Sequence, residues 1–245
     1  MPISPVSAPM PPILGMFDTP EVLAPDCNFN FEWWGALPGA MGSADPWTQT
    51  SVGASNVAAI AVYADRPCYT YVSATAGATD GLQAQFGTAN YTFEAGKPVI
   101  LKGAFNLADP ANQNFLFGLG TVDTTLIASA PTDFIGIANT AGVLTLRRDV
   151  GSTVENISTT LTLTANTWFD VAIVLTPDST TSGAGKIELY AKISAAGMDG
   201  MTQLSSHSFG TLFPTNALAL SWAYNNGTTA DAAFRIQYVG MRVKR

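Results

Sequence analysis

Apolar and polar residues alternate with a period of two along most of this chain. In KPVILKGAF the alternation places Val99, Leu101 and Phe105 on one face and Lys102 on the other. In GKIELYAKI every second residue from Ile187 onward is apolar, and the residues between them are Glu, Tyr and Lys. Because alternate residues of a β-strand point to the same side of a sheet, both segments are predicted to be half-buried strands.

Other segments are apolar at nearly every position, which predicts strands buried on both faces in the middle of a sheet. They are NVAAIAVYA (56–64), NFLFGLGTV (114–122), DFIGIAN (133–139), WFDVAIVLT (168–176) and ALALSWAY (217–224). Clusters of Gly, Asn, Asp and Pro separate the segments, and helical periodicity is nearly absent. The pattern predicts an all-β chain of about a dozen or more strands in two antiparallel sheets packed face to face.

The last segment, AFRIQYVGMRVKR, changes phase part-way along. Alternate residues from Phe234 to Tyr238 are apolar on one face, whereas alternate residues from Val239 to Val243 are apolar on the other. One extra residue in a strand reverses the side to which the following side chains point. We therefore expect a β-bulge at Val239 and Gly240.

The composition changes near residue 17, which divides the chain into an extended N-terminal arm (1–17) and a single β-sandwich domain (18–245). The arm has five prolines in its first twelve residues and no charged side chain before Asp18. Such a segment cannot bury enough surface alone to offset the entropy of ordering, so we expect a partner, a neighbouring subunit or a capsid shell, to cover it, and the alternative is that it folds back along its own sandwich. The residues expected to contact that partner are Ile3, Pro5, Val6, Met10, Ile13 and Leu14.

Charge is scarce and mostly negative. Charged residues make up 12% of the chain, the formal net charge is −7 and the isoelectric point is about 4.5. The one basic cluster, Arg242, Lys244 and Arg245, is too short to neutralise nucleic-acid phosphates, so no nucleic-acid partner is expected. No secretory leader and no apolar stretch of membrane-helix length occur, so we expect synthesis in a host cytoplasm and no membrane partner. Cys27 and Cys68 are expected to be reduced and buried.

No catalytic motif emerges from the acidic residues. Hydrolysis of a glycosidic bond needs two carboxylates that face one substrate, and none of the five glutamates begins the Glu-x-Asp-x-x-Glu spacing of β-sandwich glucanases. Asp170 stands out because its sequence neighbours are apolar, and it is predicted to be a solvent-facing or hydrogen-bonded structural residue. No catalytic residue is therefore assigned.

Cofactor and metal motifs are also missing from the sequence. His207 is the single histidine, which excludes multi-histidine zinc sites, and it is expected to be an ordinary sheet or surface residue. Asp178 and Asp199 are candidates for a calcium site, but no Asp-x-Asp-x-Asp loop accompanies them. We expect no bound cofactor and assign no metal site.

Three tryptophans, Trp33, Trp34 and Trp47, lie within fifteen residues of each other. Exposed indole rings stack on sugars, so the group is a candidate glycan contact. The same stretch, FNFEWWGALPGAMGSADPW, also fits a core strand followed by a loop, or a contact between subunits. Both interpretations stay open at the level of sequence.

From residue 97 to the C-terminus, the order of these features resembles the concanavalin-A-like (laminin-G-like) jelly-roll sandwich. KPVILKGAFN and NFLFGLG are similar to its long strand and its glycine-bearing strand, and DFIGIANTAGVLTLRRDVGS to a hairpin that follows them. NTWFDVAIVLTPDSTTSGAGKIELYAKI resembles its Trp-bearing strand, turn and return strand. The closing strand differs, because Gln237 stands where an aspartate is usual in that family.

The resemblance implies a jelly roll without the family's catalytic carboxylates. Proteins of this kind include sugar-binding modules and virion proteins of tailed bacteriophages. Low charge and the apolar arm favour the second group. We therefore expect a non-enzymatic, homo-oligomeric capsid decoration (cement) protein of the virion that binds the major capsid protein through its arm and one sandwich face. The alternatives are a tail or baseplate component and a carbohydrate-binding, lectin-like module.

Overall fold

A computed structural model describes residues 29–35, 47–53, 56–64, 66–73, 80–86, 91–127, 131–151, 153–193, 201–211, 213–227 and 232–244. Within them the chain forms fifteen β-strands. Their bounds are β1 Phe29–Gly35, β2 Trp47–Val52, β3 Asn56–Tyr63, β4 Arg66–Ser73, β5 Gly81–Phe86, β6 Val99–Leu107, β7 Asn114–Gly120, β8 Phe134–Thr140, β9 Val143–Val150, β10 Thr153–Thr162, β11 Trp168–Pro177, β12 Gly185–Ile193, β13 Thr202–Phe209, β14 Ala219–Asn225 and β15 Phe234–Lys244. In these residues no helix is long and apolar enough to cross a membrane.

The strands form two antiparallel sheets. The eight-stranded sheet has the order β13-β12-β11-β6-β15-β4-β3, and β1 also pairs with β15. The seven-stranded sheet has the order β10-β9-β8-β7-β14-β5-β2. Strands that are distant in the sequence are neighbours in both sheets, as β6 and β15 are. The predicted all-β, two-sheet antiparallel architecture is therefore confirmed.

A layer of aromatic rings joins the two sheets. Phe105 of the eight-stranded sheet lies with its ring centroid 4.7 Å from that of Phe115 and 5.0 Å from that of Phe117 in the opposite sheet. Phe234 and Tyr224 stack across the same interface with centroids 4.5 Å apart. All five side chains are buried. Burial of one large aromatic side chain contributes about 1.5–3 kcal/mol, so this layer is a main source of stability.

The predicted strand faces are confirmed for β6 and β12. Val99, Leu101 and Phe105 lie in the core between the sheets, and so do Ile187 and Leu189. The side chains that alternate with them point to the other side of the eight-stranded sheet. The period-two pattern alone was enough to assign both faces.

The bulge predicted at Val239 and Gly240 lies elsewhere. Ile236 pairs with Phe105 and Tyr238 pairs with Ala104, so the register shifts at Gln237. The assignment of Tyr238 to the same face as Phe234 and Ile236 is therefore wrong. The bulge turns Tyr238 outward, whereas Ile236 and Val239 both point into the core. One inserted residue lets the strand bury apolar side chains from both halves.

Cys68 is a buried free thiol, as predicted. Cys27 and the arm (1–17), with all six of its predicted contact residues, lie outside the described residues. The division into an arm and one domain stays a prediction.

Gly118 and Gly136 pair directly across β7 and β8. A Cβ on Gly118 would lie 2.4 Å from the carbonyl oxygen of Ile135 and 2.8 Å from the Cα of Gly136. These contacts are with backbone atoms, so no side-chain rotation can relieve them. The close approach of the two strands requires glycine at this position.

Gly118→Ala is therefore expected to lower the free energy of unfolding by about 1–3 kcal/mol, because the two strands must move apart. Gly210→Ala is the matched control, since a Cβ there meets nothing within 4 Å. It should change stability by less than about 1 kcal/mol. Urea denaturation followed by tryptophan fluorescence measures both variants, and equal midpoints would contradict the close approach.

Candidate functional site

The outer face of the seven-stranded sheet is partly covered by the connection between β7 and β8. Two buried glutamines of β5 hold this connection in place. The Gln83 side chain donates to the Asp123 carbonyl (2.6 Å) and accepts from the Leu126 amide (2.8 Å). The Gln85 side chain donates to the Thr121 carbonyl (3.0 Å) and accepts from the Asp123 amide (2.7 Å). Because each amide side chain bonds twice to the connection, residues 121–126 have a fixed position over β5.

Leu126 continues this cover toward the centre of the sheet. Its buried side chain packs with Leu116, Phe134, Ala138 and Ala223 on the outer face. Beyond it the face stays open as a groove of about 230 Å³. We call it the outer groove and define it by Asn114, Leu116, Ile127, Arg147, Asn156 and Asn225.

Three asparagines give the outer groove free hydrogen-bonding groups. Asn114 donates through Nδ2 to Oδ1 of Asn225 (2.7 Å), and the Asn114 oxygen and the Asn225 amide group make no hydrogen bond to the described residues. Asn156 is exposed and makes no side-chain hydrogen bond to any described residue. Donors and acceptors are thus both present on rigid strands.

Arg147 crosses the floor of the groove and is fixed by Asp149. Its Nε lies 3.0 Å from both carboxylate oxygens and its Nη2 lies 2.7 Å from Oδ2. Asp149 is fully buried, whereas the Arg147 side chain is 16% exposed. Burial raises the pKa of Asp149, opposed by the hydrogen bond and charge of Arg147. The Nη1 group of Arg147 bonds to none of the described residues and is a donor for a ligand.

Asp133 also lies beside this pair. Its carboxylate accepts a hydrogen bond from the Gly151 amide (3.0 Å) and another from the Asn216 side chain. It is only 2% exposed. Asp133 and Asp149 are therefore occupied by protein donors and closed to solvent, which is unlike the accessible carboxylate pair that glycoside hydrolysis needs.

Asp170 lies on the outer face of the other sheet, in a buried network. Arg66 donates to both of its oxygens at 3.0 Å, and the Arg66 Nη1 also donates to Oε1 of Gln237 at 3.2 Å. Tyr238 hydrogen-bonds to the same carboxylate, and burial followed by the charge of Asp170 raises the pKa of its hydroxyl. Trp168 stacks against the Arg66 guanidinium at 5.3 Å. The prediction of a hydrogen-bonded structural aspartate is confirmed.

The tryptophans do not form one exposed platform in the described structure. Trp47 is 4% exposed and packs edge-on against Phe86 in the core, with centroids 5.7 Å apart. This corrects the candidate glycan contact at Trp47, because a buried ring offers no face to a sugar. Trp33 and Trp34 lie on β1 of the eight-stranded sheet, where they pair with Met241 and Gly240 of β15. Their side chains are outside the description, so their part of the hypothesis stays a prediction.

The other candidate residues of the described structure, His207 and Asp178, contact neighbouring protein groups. His207 is half-buried on β13, with its ring 4.6 Å from that of Phe209. Asp178 accepts hydrogen bonds from the Thr180 side chain and the Thr180 and Thr181 amides, which lower its pKa. Asp199 lies outside the described residues. Within the described part of the chain, no three acidic, His or Cys side chains are grouped as metal ligands.

Sequence reasoning missed the outer groove entirely. Its polar residues come from the five strands β7, β8, β9, β10 and β14, and Asn114 and Asn225 meet only because β7 pairs with β14. A signal did exist, since Arg147 and Asn156 belong to the charged and polar group in the middle of an otherwise mostly apolar and hydroxyl-bearing hairpin. Their direct pairing across β9 and β10 requires the register, which the sequence does not specify.

No protein-family model and no curated protein matches this chain. Solved structures do match. A protein of unknown function from Shewanella oneidensis MR-1 has a TM-score of 0.57 and 17% identity over 88% of this chain and 86% of that one. Lectin II from Ulex europaeus has a TM-score of 0.56 and 7% identity over 88% of this chain and all of that one.

The fold decides the classification. This chain has a concanavalin-A-like β-sandwich fold. A carbohydrate esterase of the Shiga toxin-encoding bacteriophage phi24B shares it, with a TM-score of 0.52 and 13% identity over 89% of this chain and all of that one. Lectins and enzymes that act on carbohydrates both use this concanavalin-A-like sandwich, so the fold alone does not select a function.

The Arg66–Asp170 network predicts a purely structural effect of mutation. Asp170→Asn removes the carboxylate charge that pairs with the buried Arg66 guanidinium and is expected to cost about 3–5 kcal/mol of unfolding free energy. Glu188→Gln is the control, because the Lys186 ammonium that it faces is 43% exposed. It should cost at most about 1 kcal/mol. Urea denaturation of both variants is the measurement, and unchanged stability of Asp170→Asn would contradict a structural role.

Proposed function

We propose that this protein is a non-catalytic glycan-binding domain and that its ligand occupies the outer groove. The observation that carries the proposal is a set of groups on this face that bond to none of the described residues: Nη1 of Arg147, the Asn156 amide, Nδ2 of Asn225 and Oδ1 of Asn114. Sugar hydroxyls both donate and accept hydrogen bonds, so a mixed set of protein groups suits them.

The charge of the groove favours a neutral glycan. Asp149 balances Arg147, so this ion pair gives the floor of the groove no net positive charge that would attract an anionic sugar. The whole protein carries −7, which repels polyanionic chains over distances of the Debye length. Neutral hexose units are bound by hydrogen bonds without an electrostatic penalty.

The carboxylates support binding rather than catalysis. A general acid must reach the glycosidic oxygen, and a nucleophile or base must reach the anomeric carbon or a water. Asp133 and Asp149 are closed to solvent, and their oxygens already accept protein hydrogen bonds. In the described structure Asp149 fixes the position of Arg147 at the floor of the groove.

The test is glycan binding by variants of exposed groove residues. Asn114→Ala and Asn156→Ala each remove one or two hydrogen bonds and should raise the Kd for a neutral oligosaccharide about two- to tenfold. Gln203→Ala, an exposed amide on β13 of the other sheet, is the control and should leave the Kd unchanged. A glycan array identifies the ligand and calorimetry gives the Kd. Wild-type protein that binds no glycan on the array, or groove variants that bind as well as wild type, would contradict the proposal.

Capsid decoration stays a second candidate because of the apolar, charge-free arm (1–17). In this hypothesis the protein is a homo-oligomeric virion component, and its arm binds the major capsid protein. Deletion of residues 1–16 should then abolish binding to capsids, as measured by sedimentation with the particles. Full occupancy of the particles by the shortened protein would exclude the arm as the attachment. Copy number per particle, hundreds against a few to tens, distinguishes a head protein from a tail protein.

A further inference from the structure

A second cleft lies at one end of the sandwich. It has a volume of about 400 Å³ and is formed by the turn between β11 and β12 and by the residues that precede β6 and β14. We call it the end cleft and define it by Phe93, Pro177, Thr180, Gly183, Pro214 and Thr215. It is separate from the outer groove, with which it shares no residue.

The walls of the end cleft are held by backbone hydrogen bonds. The Phe213 amide donates to the Gly183 carbonyl at 2.6 Å, and the Gly96 amide donates to the Pro177 carbonyl at 3.2 Å. The rings of Phe93 and Phe213 meet edge to face, with centroids 4.7 Å apart. The cleft is therefore preformed, and binding of a ligand would cost little conformational entropy in its walls.

The lining consists of aromatic rings, prolines and hydroxyl groups. Phe93 is half-buried, and Thr180 and Thr215 are exposed at the rim. The one ionisable side chain among the lining residues is Asp178, whose Oδ1 accepts three hydrogen bonds from its own turn. Grooves with aromatic and hydroxyl-bearing walls bind extended proline-rich segments, because the pre-extended chain loses little entropy when it binds.

The chain itself contains such a segment. Residues 1–17 include the prolines at positions 2, 5, 9, 11 and 12, and no charged side chain that would have to lose its hydration. We propose that residues 1–17 bind the end cleft of their own chain as an extended, proline-rich segment.

Strand register places the start of β1 at the same end of the sandwich as the end cleft. Phe29, where β1 begins, pairs with Lys244, and the adjacent Val243 pairs with Val99. Val99 in turn pairs with Leu175, which is followed by the turn of the end cleft. The first residue of β1 therefore lies at the end of the sheet that carries the cleft.

The connection between arm and sandwich is long enough. Three strand spacings of about 4.8 Å separate β1 from β11, or about 14 Å in total. Residues 18–28 can span up to about 36 Å at about 3.3 Å per residue. A tether of this length gives the arm an effective concentration in the millimolar range at its own cleft, which favours binding within one chain.

This inference and the capsid hypothesis differ for the free protein. An arm bound in the end cleft contacts its own sandwich even when no capsid is present. An arm that binds only the major capsid protein makes no contact with the cleft. Free protein in solution therefore tests the inference independently of glycan binding and of capsid binding.

The experiment is photo-cross-linking in the full-length protein with benzoylphenylalanine in place of Met10, followed by mass spectrometry. We expect cross-links from position 10 to residues 91–97, 177–184 and 213–215. Thr215→Trp fills the rim of the cleft and should lower the yield of these cross-links about tenfold. Thr202→Trp, also an exposed threonine but on β13, is the matched control and should leave the yield unchanged.

Mixing isotopically heavy and light protein before irradiation shows which chain the arm occupies. Cross-links within heavy or light chains support the proposal, and cross-links found only between heavy and light chains overturn it in favour of arm exchange. The absence of cross-links to the three cleft segments also overturns it, and so does a yield that Thr215→Trp leaves unchanged.

Discussion

The aromatic layer between the two sheets determines where every polar side chain of the sandwich points. Phe105, Phe115 and Phe234 meet across the interface, with centroid distances of 4.7 to 6.2 Å. Once these rings face inward, alternation along each strand sends the intervening residues outward. Arg147 faces outward on β9 because Leu146 is in the core, and Asp170 faces outward on β11 because Phe169 and Val171 are in the core. Hydrophobic packing therefore positions the polar sites on both outer faces.

A low content of charge gives the few ionic groups specific structural roles. On each outer face a buried aspartate fixes an arginine, Asp170 with Arg66 and Asp149 with Arg147. The two pairs differ in exposure, because the Arg66 side chain is 9% exposed and the Arg147 side chain is 16% exposed and lines a groove. The same arrangement thus stabilises one face of the sandwich and provides a hydrogen-bond donor on the other.

The sequence was sufficient to predict features that depend on local period. The faces of β6 and β12 and the all-β architecture follow from alternation alone. Features that depend on pairing between distant strands were not predictable. The phase change in the last strand was recognised, but its position at Gln237 depends on how Ile236 and Tyr238 pair with β6. Trp47 shows the same limit, since its burial depends on packing beneath Phe86.

The outer groove was not predicted because it also depends on pairing between distant strands. This origin affects how the groove could recognise a ligand. Its polar groups lie on paired strands, so their spacing is set by the sheet rather than by a loop. Its one aromatic lining residue, Phe115, is 1% exposed and belongs to the core. Recognition there must come from hydrogen bonds, which are directional and lose most of their value when one partner is displaced. If the groove binds a glycan as we propose, it would distinguish sugars by the orientation of their hydroxyls more than by their apolar faces.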